Sequence, residues 1–207
     1  MKTAGIIVAA GLSSRMGEFK PLLPFRGSTI IENAINTMKQ AGIATIVVVI
    51  GYNKEVMELA LEGSNVITVY NPNYATSDMM TSIKLGIECI IRIQNTDEND
   101  LPPIEGVFIL PGDMPAVSPA TLVKIHIEME DSKVKIIFPT VQGRKKHPPL
   151  IRVELLREIY NYQGDMGLRG ALERYEMDTA YLEVDDYGCT IDTDTPQDYK
   201  RLLEYGK

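Results

Sequence analysis

Apolar runs of strand length alternate along the chain with segments of helical period. Ile6-Ile7-Val8-Ala9-Ala10 is the first run and Thr45-Ile46-Val47-Val48-Val49-Ile50 the second. Val66-Ile67-Thr68-Val69-Tyr70, Val107-Phe108-Ile109-Leu110 and Lys135-Ile136-Ile137-Phe138 continue the series. These runs are β-branched and nearly continuous rather than alternating, which predicts parallel strands buried on both faces. Between them, Ile30, Ile31, Ala34, Ile35 and Met38 make one helical face. Met79, Met80, Ile83, Ile87, Ile90 and Ile91 make another, and Leu122, Ile125 and Met129 a third.

Strand then helix, repeated, predicts an α/β fold: a Rossmann-like three-layer α/β/α sandwich on a mostly parallel sheet. Gly42 and Gly51 punctuate element ends, while Pro72, Pro102, Pro103 and Pro139 stop helices from continuing. The polar residues 94–100 are the best candidate for a mobile loop. No repeat, low-complexity linker or shift of composition divides the chain, so residues 1–207 are expected to form one domain.

Open α/β sheets place ligands beyond the carboxyl ends of their strands. The unusual segments of this chain fall there. Ala9-Ala10-Gly11-Leu12-Ser13-Ser14-Arg15-Met16-Gly17 follows the first run, Asn71-Pro72-Asn73-Tyr74 the third, and Pro111-Gly112-Asp113-Met114-Pro115 the fourth. Three such loops on one edge predict a site.

Composition narrows the ligand. Across 207 residues, 21 basic and 28 acidic side chains leave a net charge of −7. That balance argues against nucleic acid or an anionic membrane as a non-specific partner, because phosphates reward a basic face. No apolar stretch approaches the roughly eighteen residues of a membrane span. The apolar start of the chain imitates a short secretory leader, but Ser13, Ser14 and Arg15 end it early. Cys89 and Cys189 form no metal spacing and no disulfide framework, which fits free thiols in a reducing cytoplasm.

The first loop supplies Gly11 and Gly17, with Ser13 and Ser14 between them, and then the cations Arg15 and Lys20. A glycine-rich turn lets backbone N–H groups reach phosphate oxygens, and nearby cations neutralise them. No Gly-Lys-Ser/Thr ends the loop as in a Walker sequence, and its glycines are too far apart for the dinucleotide fingerprint. A polyphosphate cradle and a plain strand-to-helix turn with two exposed cations both fit these residues.

Here a resemblance becomes specific. The loop, followed by Lys20-Pro21-Leu22-Leu23-Pro24, resembles the signature of nucleotidyltransferases that act on molybdenum cofactor, the MobA-like NTP transferases. It is most similar to the cytidylyltransferases among them, since the guanylyltransferases typically carry Gly-Gly where this chain has Ala10-Gly11. Asn71-Pro72-Asn73-Tyr74 through Ser82 resembles their base-recognition segment, and Leu110-Pro111-Gly112-Asp113-Met114-Pro115 their metal-binding turn. The segment 143–150, with His147-Pro148, and Gly164-Asp165-Met166-Gly167-Leu168-Arg169 resemble substrate-side motifs. Asp192-Thr193-Asp194-Thr195-Pro196-Gln197-Asp198 is similar to the family's ending.

The resemblance implies a fold of the nucleotide-diphospho-sugar transferase type, with a nucleotide half over about residues 1–115 and an acceptor half over about 116–207. It implies that Arg15 and Lys20 hold the triphosphate of CTP, with Ala9, Ala10 and Gly11 near the base. Ser13, Ser14, Asn71, Ser82, Pro111 and Gly112 complete the expected nucleotide site. Asp113 and Asp194 would hold magnesium, or manganese in its place, with Asp192 as the rival to Asp194. Arg15, Lys20 and Asp113 would carry catalysis, and His147, Arg144, Asp165 and Arg169 would bind the acceptor. A molybdenum hydroxylase that receives the finished cofactor is the implied protein partner.

The chemistry suits those residue types. Nucleotidyl transfer brings two polyanions together, so alignment and charge neutralisation carry the catalysis. Hard carboxylate oxygens suit magnesium. A phosphate monoester is ionised at pH 7, so no general base is required. Asp113 also invites comparison with a phospho-accepting receiver aspartate, but Gly11 and Ser13 stand where such a domain needs an acidic pair. Arg144, Lys145, Lys146 and Arg169 form either a basic patch for an anionic acceptor or a solvated loop. His126 falls on a helix and is expected at its surface or boundary.

Two departures from the family pattern stand out. Lys145-Lys146 precede His147 where relatives carry a small residue, and the segment from Asn71 to Ser82 is longer by a residue, with Ser77-Asp78 where a Gly is common. Other phosphorylated acceptors (sugar, polyol or choline phosphate) and a non-catalytic nucleotide-binding delivery protein are the competing readings.

Overall fold

The apolar run behind Lys2 becomes the middle of the sheet. In the computed structural model, which describes residues 1–95 and 102–205, it forms β1 (Thr3–Ala9). A short hairpin follows, β2 (Pro24–Phe25) and β3 (Ser28–Thr29), and then α1 (Ile30–Gln40), β4 (Thr45–Ile50), α2 (Lys54–Ala60), β5 (Ile67–Tyr70) and α3 (Met79–Asn95). The chain continues through β6 (Gly106–Pro111), α4 (Pro119–Asp131), β7 (Ile136–Val141), β8 (Arg144–Lys145) and β9 (Leu150–Arg152). It ends with α5 (Leu156–Asn161), α6 (Gly167–Glu173), β10 (Thr179–Glu183) and α7 (Pro196–Tyr205). Of the loop expected over 94–100, residues 94 and 95 close α3 and the rest lie outside the described residues.

The sheet order is β10-β7-β9-β6-β1-β4-β5, with β8 on β7. β1 pairs in parallel with β4 and β6, β4 with β5, and β7 with β10. β9 is antiparallel to both β6 and β7, so the sheet is mixed but mostly parallel. Ile7, Val48 and Phe108 face α1 and α4 through Ile35, Met38 and Ile125. Ile6, Val49 and Ile109 face the other way, onto Ile83, Ile87, Leu156 and Leu172 of α3, α5 and α6. Helices cover both faces, the expected three-layer arrangement. Each such side chain, fully buried, contributes about 1.5–3 kcal/mol. A Cβ on Gly86 would lie 2.6 Å from Ile6 Cγ2, so α3 packs directly on β1 only because that residue is glycine.

Helix starts follow local chemistry. Thr29 caps α1 with Glu32 bonding back to it, a reciprocal capping box. Ser118 caps α4 ahead of Pro119. Thr195 accepts from Asp198 N (3.2 Å) and donates its own N–H to Asp198 Oδ2 (3.0 Å) at the start of α7.

Two expectations need correction. The run 66–70 is not buried on both faces: β5 is the edge strand, with Ile67 and Tyr70 exposed. Met79 does not join the apolar face of α3 but is exposed at its first turn, because the helix begins there beside the strand ends. Strands β9 and β10 lie where no continuous apolar run marks them, since one is three residues long and the other half exposed. No helix among the described residues is long and apolar enough to cross a membrane.

Candidate active site

The loops that follow β1, β5 and β6 meet at one edge of the sheet. They enclose a cleft of about 310 Å³ whose walls include residues 9–15, Ser82 and the Pro111-Gly112-Asp113 turn. Ser13 takes a left-handed conformation (φ 53°), a small cost for a residue with a Cβ, of the kind that accumulates in functional loops. A Cβ on Gly51, at the end of β4, would lie 2.5 Å from the Ala10 carbonyl oxygen and 2.5 Å from Tyr74 Cβ. Glycine there lets the first loop and the 71–78 segment close on each other.

Lys20 opens a short 3₁₀ turn, anchored by buried Pro21. Its Nζ lies 2.7 Å from Asp113 Oδ2 and 3.2 Å from Asp194 Oδ1. Arg15 reaches Asp194 Oδ2 at 3.0 Å. Two carboxylates, one from the middle of the chain and one from near its C-terminal end, therefore share one ammonium inside the cleft. Neither aspartate is spent on a helix: Ser118 caps α4 and Thr195 starts α7.

A residue not anticipated from the sequence fixes the pair. Thr193, fully buried, donates from its hydroxyl to the Asp113 carbonyl at 2.8 Å. Ile191 anchors the same strand-like segment in a cluster with Met16, Phe25 and Leu202. With Ile191 and Thr193 turned inward, Asp192 and Asp194 lie on the opposite side. Asp192 makes no ion pair among the described residues. Partial loss of water, and then the charges of Asp113, Asp194 and Asp198, push its carboxyl above the usual range.

Asp113 and Asp194 fit a divalent cation. They offer hard oxygens already gathered around a positive charge, and magnesium or manganese needs only one or two carboxylates when phosphates and water complete the shell. Among the described residues no cluster of three or more His, Cys, Asp or Glu side chains that could hold a metal ion occurs.

Asn71 does not line the cleft. It is buried, donating to Ser77 Oγ (3.1 Å) and Ser82 Oγ (3.0 Å) while accepting from Asn73 N (2.9 Å). Its amide is fully used in holding Ser82 in the wall.

A second cavity, of about 620 Å³, shares Val8, Met79 and Pro111 with the first. His147 and Arg169 line it, beside Phe138, Lys145 and Tyr181. Burial pushes the His147 imidazole below its ordinary value, against the pull of Asp113 and with the help of Lys145 and Lys146. Its Nδ1 is buried without a hydrogen-bond partner among the described residues. Arg144 and Asp165, expected on the acceptor side, line neither cavity. The β7–β8 register explains the first: Arg144 pairs with Val141 and Lys145 with Thr140, so Lys145 shares the face of Phe138 and Arg144 takes the other. Asp165 is exposed in the turn before α6. His126 is half-buried on α4 beside Glu130, as expected. Both cysteines are free.

The sequence profile of the MobA-like NTP transferase domain matches residues 5–180. The chain belongs to this family. It is 30% identical to the molybdenum cofactor cytidylyltransferase of Escherichia coli K12, over 94% of this chain and 92% of that protein. It is 25% identical to the nicotine blue oxidoreductase of Paenarthrobacter nicotinovorans, over 96% and 95%. The crystal structure of Rv0371c from Mycobacterium tuberculosis H37Rv superposes with a TM-score of 0.79 at 26% identity, covering 99% of this chain and 98% of that one. A second structure of Rv0371c is a complex with manganese. The MobA-like fold, with its mostly parallel sheet between helical layers, is thus shared, while the named activities of its members differ.

Proposed function

We propose that this family member transfers CMP from CTP to the terminal phosphate of molybdenum cofactor and releases pyrophosphate. The observation that carries the reading is the Asp113–Lys20–Asp194 cluster inside a cleft walled by the glycine loop. A protein that only binds nucleotide has no need of both carboxylates. The E. coli cytidylyltransferase supports the choice of reaction, and the Rv0371c–manganese complex supports use of a divalent cation. Asp113 and Asp194 would hold it, as magnesium in the first place. The base assignment rests on Ala10-Gly11 in place of Gly-Gly.

The nucleotide half spans about residues 1–115 and the acceptor half about 116–207, with Asp194 reaching back into the nucleotide cleft. Backbone at Ala9, Ala10 and Gly11 borders the base, held in place by Ser82 and, through it, Asn71. Ser13, Ser14 and the backbone at Pro111 and Gly112 border the phosphates. Arg15 and Lys20 turn from the carboxylates to the triphosphate when it binds, neutralising the charge that builds up on pyrophosphate. The bound cation supplies Lewis-acid stabilisation of the phosphate oxygens. An acceptor phosphate oxygen, already ionised, attacks the α-phosphorus. The bond to the bridging oxygen breaks, and its electron pair leaves with pyrophosphate. His147, neutral at pH 7, and Arg169 hold the acceptor in line. Two free thiols fit a reducing cytoplasm as the place of the activity, ahead of docking to a molybdenum hydroxylase.

Metal-dependent pyrophosphate release with CTP, GTP, ATP and UTP tests this, with and without molybdenum cofactor. Release with CTP and the cofactor is expected. Release with GTP alone refutes the cytidylyl assignment. Release only with a sugar, polyol or choline phosphate moves the acceptor. Tight CTP binding without release under any condition assigns the delivery role instead.

A further inference from the structure

The second cavity carries an arrangement that the transfer chemistry does not use. Phe138 of β7 and Tyr181 of β10 stand opposite each other in register, with ring centroids 6.3 Å apart and planes at 21°. Lys145 extends over them from β8, its Nζ 3.6 Å from the Phe138 centroid and 5.9 Å from that of Tyr181. Among the described residues Lys145 has no carboxylate within ion-pair distance, whereas Arg169 on the same wall is bound to Glu173 at 3.2 Å. The ammonium of Lys145 is therefore held by ring faces rather than by an anion. Loss of water pushes its pKa down, with Glu176 acting against that shift.

A cation resting on stacked rings is geometrically ready for a flat partner. A planar heteroaromatic ring gains dispersion from Phe138 and Tyr181, and an electron-rich face or anionic substituent gains from the ammonium. Small aliphatic phosphates gain the ammonium's charge but none of the ring contact. They also leave most of a cavity of about 620 Å³, walled by Ile83, Ile109 and Leu172, filled with water against apolar surface.

We propose that Lys145, displayed on the Phe138–Tyr181 ring pair, is a specificity-determining residue that selects planar, electron-rich or anionic heteroaromatic acceptors over small aliphatic phosphates. The proposal rests on the acceptor assignment of this cavity. It goes further in naming the side chains that discriminate.

The test is direct binding without turnover. Pterin-6-carboxylate serves as a fluorescent planar anion and glycerol 3-phosphate as the small aliphatic probe, each titrated by calorimetry, with fluorescence quenching for the pterin. The wild-type protein should bind the pterin at least roughly ten-fold more tightly, the scale of a desolvated cation–π contact. Lys145→Met keeps the stem on Phe138 and should erase most of that preference, Lys145→Arg should retain it, and CTP affinity should not change in either. Tyr181→Leu should weaken pterin binding alone. Equal affinity for the two probes, or a Lys145→Met variant that binds pterin like wild type, overturns the proposal. Pterin selectivity without any pyrophosphate release would instead uphold it and refute the transfer reaction.

Discussion

Lys20 Nζ bridges Asp113 Oδ2 and Asp194 Oδ1, at 2.7 and 3.2 Å, so a single ammonium sits between the two carboxylates proposed for the metal. Ammonium and divalent cation compete for the same oxygens. Replacing Lys20 with Met should therefore tighten manganese binding in the absence of nucleotide by several-fold, read by electron paramagnetic resonance. The same variant should lose about 10²-fold or more in single-turnover rate, the usual scale for one transition-state charge contact. Unchanged manganese affinity would show that the two cations do not share a site.

The two candidate aspartates at the C-terminal end separate cleanly. Asp113→Asn and Asp194→Asn should each abolish measurable turnover while the circular dichroism spectrum stays native. Asp192→Asn should retain most activity, since Asp192 joins no ion pair in the cluster, and should relieve repulsion among four neighbouring carboxylates. Loss of turnover in Asp192→Asn with survival of Asp194→Asn would exchange their roles.

Asn71 acts through Ser82 rather than on nucleotide. Asn71→Ala leaves the hydroxyls of Ser77 and Ser82 without that donor and should cost about 1–3 kcal/mol of stability in chemical denaturation. The KM for CTP should rise with little change in kcat, because the wall moves while the charged cluster remains. A fall in kcat at unchanged KM would contradict this positioning role.

His147 gives stability a pH signature. Its folded pKa lies below the ordinary 6.5, so in the window just below that value the unfolded chain binds more protons than the native one. The contribution is complete above the unfolded pKa and is lost as pH falls towards the folded one. Melting temperature should thus decline between pH 7 and pH 5, and decline less in His147→Gln. Parallel pH profiles for the two proteins would show that His147 is not buried as a neutral base.

Much of this site was legible before the fold, because it depends on loops that carry unusual residues at strand ends. Lys20, Asp113 and Asp194 are such residues, and the cleft brings them together. What escaped was contact across the sheet. Thr193 looks like an ordinary polar residue until Ile191 and Leu202 bury its segment against the first loop. Tyr181 sits on a short, half-exposed edge strand with no apolar run to announce it. Arg144 and Lys145 differ by one position in a two-residue strand, and only the pairing with Val141 and Thr140 tells which of them faces Phe138. Met79 lies off the apolar face for the related reason that periodicity does not report where a helix leaves the core.

Mass spectrometry of the product tests the central claim most directly. Incubation with CTP, magnesium and molybdenum cofactor should yield the cytosine dinucleotide form of the cofactor and one pyrophosphate per product. Neither should form with Asp113→Asn. Recovery of unmodified cofactor from the wild-type protein, or a product carrying a different nucleotide from a mixture of all four triphosphates, would contradict it.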